Sequence, residues 1–200
     1  YNALIKGVTH MAESLSCSQK TKMKMGNALK RLMKNTTFEK ITVSDITNEC
    51  NIHRQTFYYH FQDRYELLDW LIYNELILPL VTDFNLDNMC DKLYGMFEQI
   101  ASDKKFYQNA LKLSSDDLTR YINRIANEQI TKLVKSLAVQ NGLTAATEKD
   151  DIVIAEFIGY GICGVVISWI QKGMKESPKE MTERLHSLIV SCKQLAIKRN

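Results

Sequence analysis

Apolar residues recur every three or four positions along most of this 200-residue chain, the spacing that places them on one face of an α-helix. Two prolines and eight glycines leave few points at which such helices would be interrupted. No segment shows the alternation of apolar and polar residues that indicates a half-buried strand. The sequence therefore predicts an all-α fold of about nine helices, over residues 20–35, 43–50, 54–61, 63–79, 87–101, 104–113, 116–141, 147–173 and from 177 onward.

Several of these helices begin with a capping box, in which a short polar side chain at the helix start is followed three residues later by an acidic one. The pairs are Thr42 with Asp45, Asp63 with Glu66, Thr147 with Asp150, and Ser177 with Glu180. The last pair is reinforced by Pro178, since proline is favoured at the first helical position. These signals predict where four helices start.

The stretch "NIHRQTFYYHF", residues 51–61, joins two short helices by a tight turn that carries the apolar residue Ile52, the outline of a helix-turn-helix. At about 100° per residue, Phe57 and Phe61 share one face and can meet the apolar side of the preceding helix. The side chains that then point away from the core are those of Gln55, Thr56, Tyr59 and His60, with Tyr58 at the boundary and His53 and Arg54 at the helix start. Two ordinary surface helices would give the same pattern.

A helix of this size fits the major groove of DNA, where arginine can bond guanine and glutamine can bond adenine. Tyrosine hydroxyls, a helix N-terminus, Lys40 and Arg64 suit phosphates, which position a protein without reading sequence. Residues 20–64 also carry nine Lys and Arg against four Asp and Glu, whereas the rest of the chain is close to balanced. Basic charge concentrated in one region is typical of a module that binds a polyanion, although an ordinary soluble surface can also carry it.

The segment "FEKITVSDITNECNIHRQTFYYHFQDRYELLDWL" resembles the DNA-binding module of the TetR family of bacterial transcriptional regulators, and "TFYYHFQDRYELL" is its most specific part. The resemblance covers residues 20–71. It implies a homodimer whose recognition helices enter successive major grooves of a pseudo-palindromic operator in double-stranded DNA. Carried over by position, the implied DNA contacts are Thr42, Ser44, His53, Arg54, Gln55, Thr56, Tyr58, Tyr59, His60 and Arg64, the last holding a phosphate. Two positions depart from the family pattern, since Asn51 and Gln55 stand where small residues are common.

The segment "GYGICG", residues 159–164, formally matches the dinucleotide fingerprint G-x-G-x-x-G, and the apolar run before it could pass for a strand. No further strands are visible, however, and only 36 residues follow Gly164, too few for a parallel sheet. Glycines at helical spacing instead leave one helix face bare, so that another helix can approach closely. Together with the apolar stripe of the last helix, this resembles the TetR dimer interface, a four-helix bundle. The predicted interface residues are Gly161, Gly164, Val165, Ser168, Leu185, Leu188, Ile189 and Cys192. A helix in the subunit's own core would explain the same pattern.

In the TetR family, aromatic residues of the middle helices often line an effector cavity, and here they are Trp70, Tyr73, Tyr94, Phe97, Tyr107 and Tyr121. An ordinary core accounts for them equally well. The segment "GYGICGVVISWIQKGMKESPKEMTERL" is similar to a TetR-like subgroup that includes activators of dihydroxyacetone-kinase operons. In that subgroup a kinase-like co-activator protein senses the effector and docks on the regulator. The implied partners are DNA, a second copy, and either a small-molecule effector or such a co-activator.

Two other functions stay open on the sequence alone: a ligand-responsive repressor of an unrelated efflux or metabolic operon, and a helical adaptor that binds no specific DNA. We expect an N-terminal extension at 1–19, partly non-native because ten residues precede Met11, a DNA-binding domain at 20–66, and a regulatory and dimerisation domain at 67–200.

No enzymatic chemistry, metal or cofactor is expected, because the four histidines are scattered and no nucleophile–base grouping or phosphate loop is present. The five cysteines form no C-x-x-C pair and indicate free thiols in a reducing cytoplasm. The longest apolar run, residues 157–170, is too short to cross a bilayer. We therefore expect a cytoplasmic protein with no membrane partner.

Overall fold

Every secondary-structure element among the described residues of the computed structural model is helical, which confirms the all-α prediction. The structure describes residues 16–85, 87–111, 128, 132 and 148–197. Most of the predicted helix at 116–141, and the predicted extension as far as residue 15, lie outside the described residues. The chain divides into two compact units, Tyr1–Leu71 and Ile72–Asn200.

The described part of the first unit contains four α-helices and one short turn. The helices are α1 (Cys17–Met33), α2 (Val43–Glu49), α3 (Arg54–His60) and α4 (Arg64–Ile72), and a 3-10 turn (Phe38–Lys40) lies between α1 and α2. Their bounds follow the predicted helices closely, except that α1 begins three residues earlier than expected. Ser16 is its N-cap and forms a capping box with Gln19.

The core of the first unit is made by one apolar face from each helix. Fully buried side chains come from α1 (Met25, Leu29), the 3-10 turn (Phe38), α2 (Ile46), α3 (Phe57) and α4 (Leu67, Leu68). Gly26 lies where α1 passes close to α4, since an added Cβ would come within 2.9 Å of Leu71 Cδ1. The predicted start of α4 is confirmed, because Asp63 Oδ1 accepts a hydrogen bond from the Glu66 amide at 2.9 Å.

The second unit begins inside the helix that ends the first. After α4 the chain makes a π-helical segment (Tyr73–Ile77) and a short helix α5 (Leu78–Val81), so the predicted single helix to Pro79 is interrupted and ends later than expected. Pro79 lies in the first turn of α5, where its missing N–H costs nothing. The remaining described helices are α6 (Met89–Ser102), α7 (Lys104–Ala110), α8 (Glu148–Gln171) and α9 (Pro178–Ile197).

The core of the second unit forms where α6, α7, α8 and α9 converge. Helix α9 packs along α6, and the Phe97 and Trp169 rings meet edge to face with centroids 5.2 Å apart. Gly173 lies two residues after the end of α8, and its φ of 89° lets the Met174 amide donate back to the Trp169 carbonyl at 2.9 Å. The predicted capping box at Ser177 is confirmed by the bond from its amide to Glu180 Oε2 at 2.7 Å. Among the described residues, no helix is both long and apolar enough to cross a bilayer.

Candidate nucleic-acid interface

The first helix of the helix-turn-helix is held at its start by a complete capping box. Thr42 Oγ1 accepts from the Asp45 amide at 3.2 Å, and Asp45 Oδ2 accepts from the Thr42 amide at 2.8 Å. The Thr42 hydroxyl also donates to Asp45 Oδ2 at 2.7 Å, and these bonds lower the pKa of Asp45. Both donors of Thr42 thus serve the cap, and its contact with DNA stays a prediction. Ser44 is half-buried in the same first turn.

The turn between α2 and α3 is a Schellman motif, the hydrogen-bonded helix ending that needs a left-handed residue. The Asn51 amide donates to the Asn48 carbonyl at 3.1 Å, and the Ile52 amide donates to the Thr47 carbonyl at 3.0 Å. Asn51 has a φ of 50°, a conformation that asparagine adopts more readily than most residues. This explains why Asn51 can replace the small residue that is common at this position.

Helix α3 is fastened to the core by the two phenylalanines that the sequence predicted. Phe57 and Phe61 are buried, with ring centroids 5.9 Å apart. The Phe61 ring also meets the Trp70 ring of α4 edge-on at 5.8 Å. These contacts fix which face of α3 points into the first unit and which points outward.

The outward face of α3 carries most of the residues predicted to contact DNA. His53, Arg54, Gln55, Tyr58 and Tyr59 are exposed. Tyr59 is 83% exposed, more than the other tyrosine of the helix, Tyr58, at 50%. Thr56 and His60 are half-buried and thus less exposed than the five residues named above.

Two of these side chains contact aromatic side chains of the same helix. Arg54 Nη2 donates to the Tyr58 hydroxyl at 3.4 Å, and its guanidinium carbon lies 6.0 Å from the centre of the Tyr58 ring. The His60 ring meets the Tyr59 ring edge-on at 4.9 Å. Burial, and to a lesser extent the charge of Lys22, lower the pKa of His60 and so favour its neutral form.

The basic side chains of the first unit differ in whether they are exposed or contact other groups of the protein. Lys40 is exposed beside the start of α2, where a phosphate could reach it. Arg31 instead forms an ion pair with Glu49, with 2.6 Å between Nε and Oε1. The Lys22 ammonium lies over the Phe61 and Trp70 rings, 5.2 and 5.9 Å from their centres. Part of the predicted basic surplus therefore holds the fold together.

Arg64 donates hydrogen bonds to backbone carbonyls of its own unit. Its Nη1 donates to the backbone carbonyls of Phe38 at 2.9 Å and Glu39 at 3.0 Å, and also to that of Ile41. The guanidinium is half-buried, and its donors on this nitrogen point into the protein. The phosphate contact of this residue stays a prediction.

A second candidate surface lies on α8 and consists of small and apolar residues three or four positions apart. Exposed apolar side chains on this face are Val153, Phe157, Tyr160 and Val165, of which Phe157 is 75% exposed. Gly161 and Gly164 lie among them, and an added Cβ at either would meet no atom of the described chain within 4 Å. We call this set the α8 face. The sequence prediction included Gly161, Gly164 and Val165 of this set but not Val153, Phe157 and Tyr160.

The other predicted interface residues have different surroundings. Ser168 is half-buried on α8. On α9, Leu188 is exposed, Ile189 is half-buried and Leu185 is buried in the core of the subunit. The side chain of Cys192 lies outside the described part of the chain. The glycines at 159–164 lie inside α8, which removes the strand-to-helix turn that a dinucleotide site requires.

The aromatic residues predicted to line an effector cavity have several partners within the protein. Phe97 is buried against Trp169, and the buried Tyr107 hydroxyl donates to Glu75 Oε2 at 3.0 Å. Gln99 Nε2 donates to the same oxygen at 3.2 Å. Burial, and then the nearby charge of Glu75, raise the pKa of Tyr107, so this phenol stays protonated.

The remaining predicted cavity residues are less enclosed. Tyr94 is exposed and donates to Glu98 Oε1 at 2.7 Å, and Tyr73 is half-buried in the π-helical segment. Trp70 belongs to the first unit, and Tyr121 lies outside the described residues. Effector binding by this set stays a prediction. Within the described residues, no group of three or more His, Cys, Asp or Glu is placed to hold a metal ion.

Comparison with known proteins places both units in one family. Residues 27–71 match the family described as "Bacterial regulatory proteins, tetR family", and residues 87–191 match "Transcriptional regulator C-terminal region". The "HTH-type dhaKLM operon transcriptional activator DhaS" of Lactococcus lactis is 31% identical over 84 residues, which is 42% of this chain and 45% of that protein. The match therefore spans less than half the length of that relative.

Solved structures share the fold over most of the chain. A structure of the "Dihydroxyacetone kinase operon activator DhaS" superposes with a TM-score of 0.67 and 22% identity, covering 88% of this chain and 97% of that one. FadR from Bacillus subtilis in complex with stearoyl-CoA superposes with a TM-score of 0.62 and 17% identity, covering 84% and 97%. At these identities the likeness shows the fold alone.

Proposed function

The chain belongs to the TetR family of bacterial regulatory proteins, and on that premise we propose that it is a dimeric, sequence-specific transcriptional regulator acting in the bacterial cytoplasm. It acts without catalysis, by occupying an operator whose two halves are related as an inverted repeat. Each α3 enters one major groove, and the two grooves lie about one helical turn apart.

The observation that carries this proposal is the division of α3 into a buried and an exposed face. Phe57 and Phe61 are buried, whereas Arg54, Gln55 and Tyr59 on the other side are exposed. Arginine and glutamine are the side chains that read guanine and adenine by paired hydrogen bonds. The exposed tyrosine and Lys40 are suited to the phosphates on either side.

The homodimer is supported by the α8 face. A stripe of exposed apolar side chains this long on one helix is unusual for a surface that stays in water. Glycines within the stripe have no packing role in the described part of their own subunit, but they would let a second helix approach closely. A two-fold pair of such faces buries the same residues from both copies.

The controlled genes are proposed from the similarity to DhaS, which is named as an activator of the dhaKLM operon. We infer that this chain activates a dihydroxyacetone-kinase operon and that its second unit receives the signal from a partner protein related to the kinase. A ligand or partner that prefers one arrangement of the two units shifts the population between DNA-binding and non-binding forms.

A second candidate is a ligand-responsive repressor of a metabolic or efflux operon. It is favoured by the shared fold with FadR of Bacillus subtilis, which was solved with stearoyl-CoA. In that case the predicted aromatic residues of the second unit would contact a small molecule.

Selection of binding sites from random duplex DNA tests the proposed function. We expect the wild-type protein to enrich an inverted repeat, with half-site centres about 10 base pairs apart or a multiple of that spacing. Enrichment of a single half-site would contradict the dimer, and no enrichment by a folded protein would favour an adaptor that does not bind specific DNA.

The position of the selected sequence in the source genome then separates the two candidates. A site upstream of dihydroxyacetone-kinase genes, with operator affinity that does not respond to stearoyl-CoA, supports the activator. A site elsewhere, with affinity that falls when an acyl-CoA is added, supports the repressor.

A further inference from the structure

We propose that Arg64 is a positioning residue for DNA recognition, which holds the 3-10 turn and thereby the start of α2, and that it does not bind a phosphate. The proposal rests on the proposed function, since it concerns how the DNA-binding unit keeps its shape. It assigns to Arg64 a role that differs from the one its place in the family pattern implies.

The guanidinium of Arg64 contacts three backbone carbonyls and lies near two aromatic rings. Its Nη1 donates to the carbonyls of Phe38, Glu39 and Ile41. The guanidinium carbon lies 4.9 Å from the centre of the Phe38 ring and 5.3 Å from that of Tyr65. Those two rings meet each other edge to face with centroids 5.1 Å apart.

These carbonyls lie at the C-terminal end of the 3-10 turn and just after it, where a short helical turn cannot satisfy all of its acceptors by itself. The Phe38 carbonyl also accepts from the Ile41 amide at 3.0 Å, so Arg64 adds to that bond rather than replacing it. Backbone carbonyls carry partial negative charge, so a cation with planar donors is well matched to a group of them. Hydrogen bonds with a charged donor are stronger than neutral ones. Arg64 therefore links the first residue of α4 to the turn before α2, which lies more than 20 residues earlier in the chain.

The turn that Arg64 holds leads directly into the helix-turn-helix. Ile41 is buried, and the next residue, Thr42, is the N-cap of α2. Helix α2 packs on α3, so the direction in which α2 starts bears on how α3 is presented. Nη1 carries two protons for three carbonyls, and a phosphate would have to compete with all three for that nitrogen.

The test compares Arg64→Ala with Lys40→Ala, an exposed neighbour suited to a phosphate contact. Operator affinity is measured from 50 to 300 mM salt on a duplex carrying the selected repeat, and hydrogen exchange is measured without DNA. The exchange probes are the amides of Lys40 and Ile41, which bond the carbonyls of Thr37 and Phe38 at 3.0 Å.

We expect Arg64→Ala to weaken binding about tenfold, the scale of one lost charge-assisted bond network, with the salt slope unchanged. Exchange at the Lys40 and Ile41 amides should become faster. Lys40→Ala should instead flatten the slope by about 1.8, which is about 0.9 for each of the two copies on the operator, and leave exchange as in the wild type. A flattened slope for Arg64→Ala, or unchanged exchange, would overturn the proposal.

If the alanine variant fails to fold, the same measurements are made on Arg64→Lys. Lysine keeps the charge but lacks the planar guanidinium that reaches three carbonyls beside two rings, so exchange should still be faster than in the wild type. Full recovery of affinity with wild-type exchange would overturn the proposal, because charge alone would then suffice. Since exchange is measured without DNA, a protein that binds no duplex at all would refute the proposed function and leave the Arg64 result readable.

Discussion

Replacement of Phe157 by alanine should weaken the dimer strongly while leaving the subunit stable. The ring is 75% exposed in the subunit, so most of its area is available to be buried by a partner. Full burial of a phenylalanine is worth about 1.5–3 kcal/mol, and three quarters of that gives about 1–2 kcal/mol per copy. Two-fold symmetry counts the loss twice, so the dimer should lose about 2–4 kcal/mol, or about 30- to 1,000-fold in Kd.

Sedimentation velocity over a concentration series measures this change in the dimer Kd. The control is Tyr59→Ala, since Tyr59 is an aromatic residue of similar exposure that lies on α3 instead of α8. It should weaken DNA binding and leave the dimer Kd as in the wild type. A dimer Kd that Phe157→Ala does not raise above that of the Tyr59→Ala control would refute the assignment of the α8 face to the interface.

Three further predictions concern single residues. Gly164→Glu should leave subunit stability unchanged, because an added Cβ meets open space, but should yield monomers in sedimentation; a persisting dimer would exclude this part of α8. Asn51→Ala keeps a Cβ at a φ of 50°, so in urea unfolding it should be about 1 kcal/mol less stable than Asn51→Gly; equal stabilities would argue against strain at this turn. Burial, and then the charges of Asp63 and Glu66, raise the pKa of Asp69 to about 6. The folded state therefore favours the protonated carboxyl, and the stability that this group contributes is lost as pH rises through 6. Asp69→Asn should therefore gain stability over the wild type between pH 4 and pH 7, whereas a gain that is constant with pH would contradict the shift.

Much of the fold could be predicted because local signals and tertiary structure agree. The capping boxes at Thr42 and Ser177 start helices where expected, and the spacing of Phe57 and Phe61 identifies the buried face of α3. Such features depend on residues three or four apart, which one sequence displays directly. The start of α1 at Ser16 carries the same kind of signal, a serine followed by glutamine three residues later.

The features that could not be predicted depend on contacts between distant segments. Nothing near Arg64 in the sequence indicates that its guanidinium meets the carbonyls of residues 38, 39 and 41. The π-helical segment after α4 leaves no break in the apolar pattern, so the helix was predicted as continuous. Phe157 and Leu185 illustrate the same difficulty, because the apolar pattern does not separate a side chain exposed on the subunit from one in its core.

The central claim is that α3 reads bases, and its most direct test is to compare the base preferences of α3 variants. Binding-site selection would be run in parallel on the wild type, Arg54→Ala, Gln55→Ala and the phosphate control Lys40→Ala. We predict that the two α3 variants each lose preference at particular positions of the half-site, by about 1–3 kcal/mol of discrimination, while Lys40→Ala keeps the wild-type preference. The same preference in all four proteins would contradict base reading by this helix.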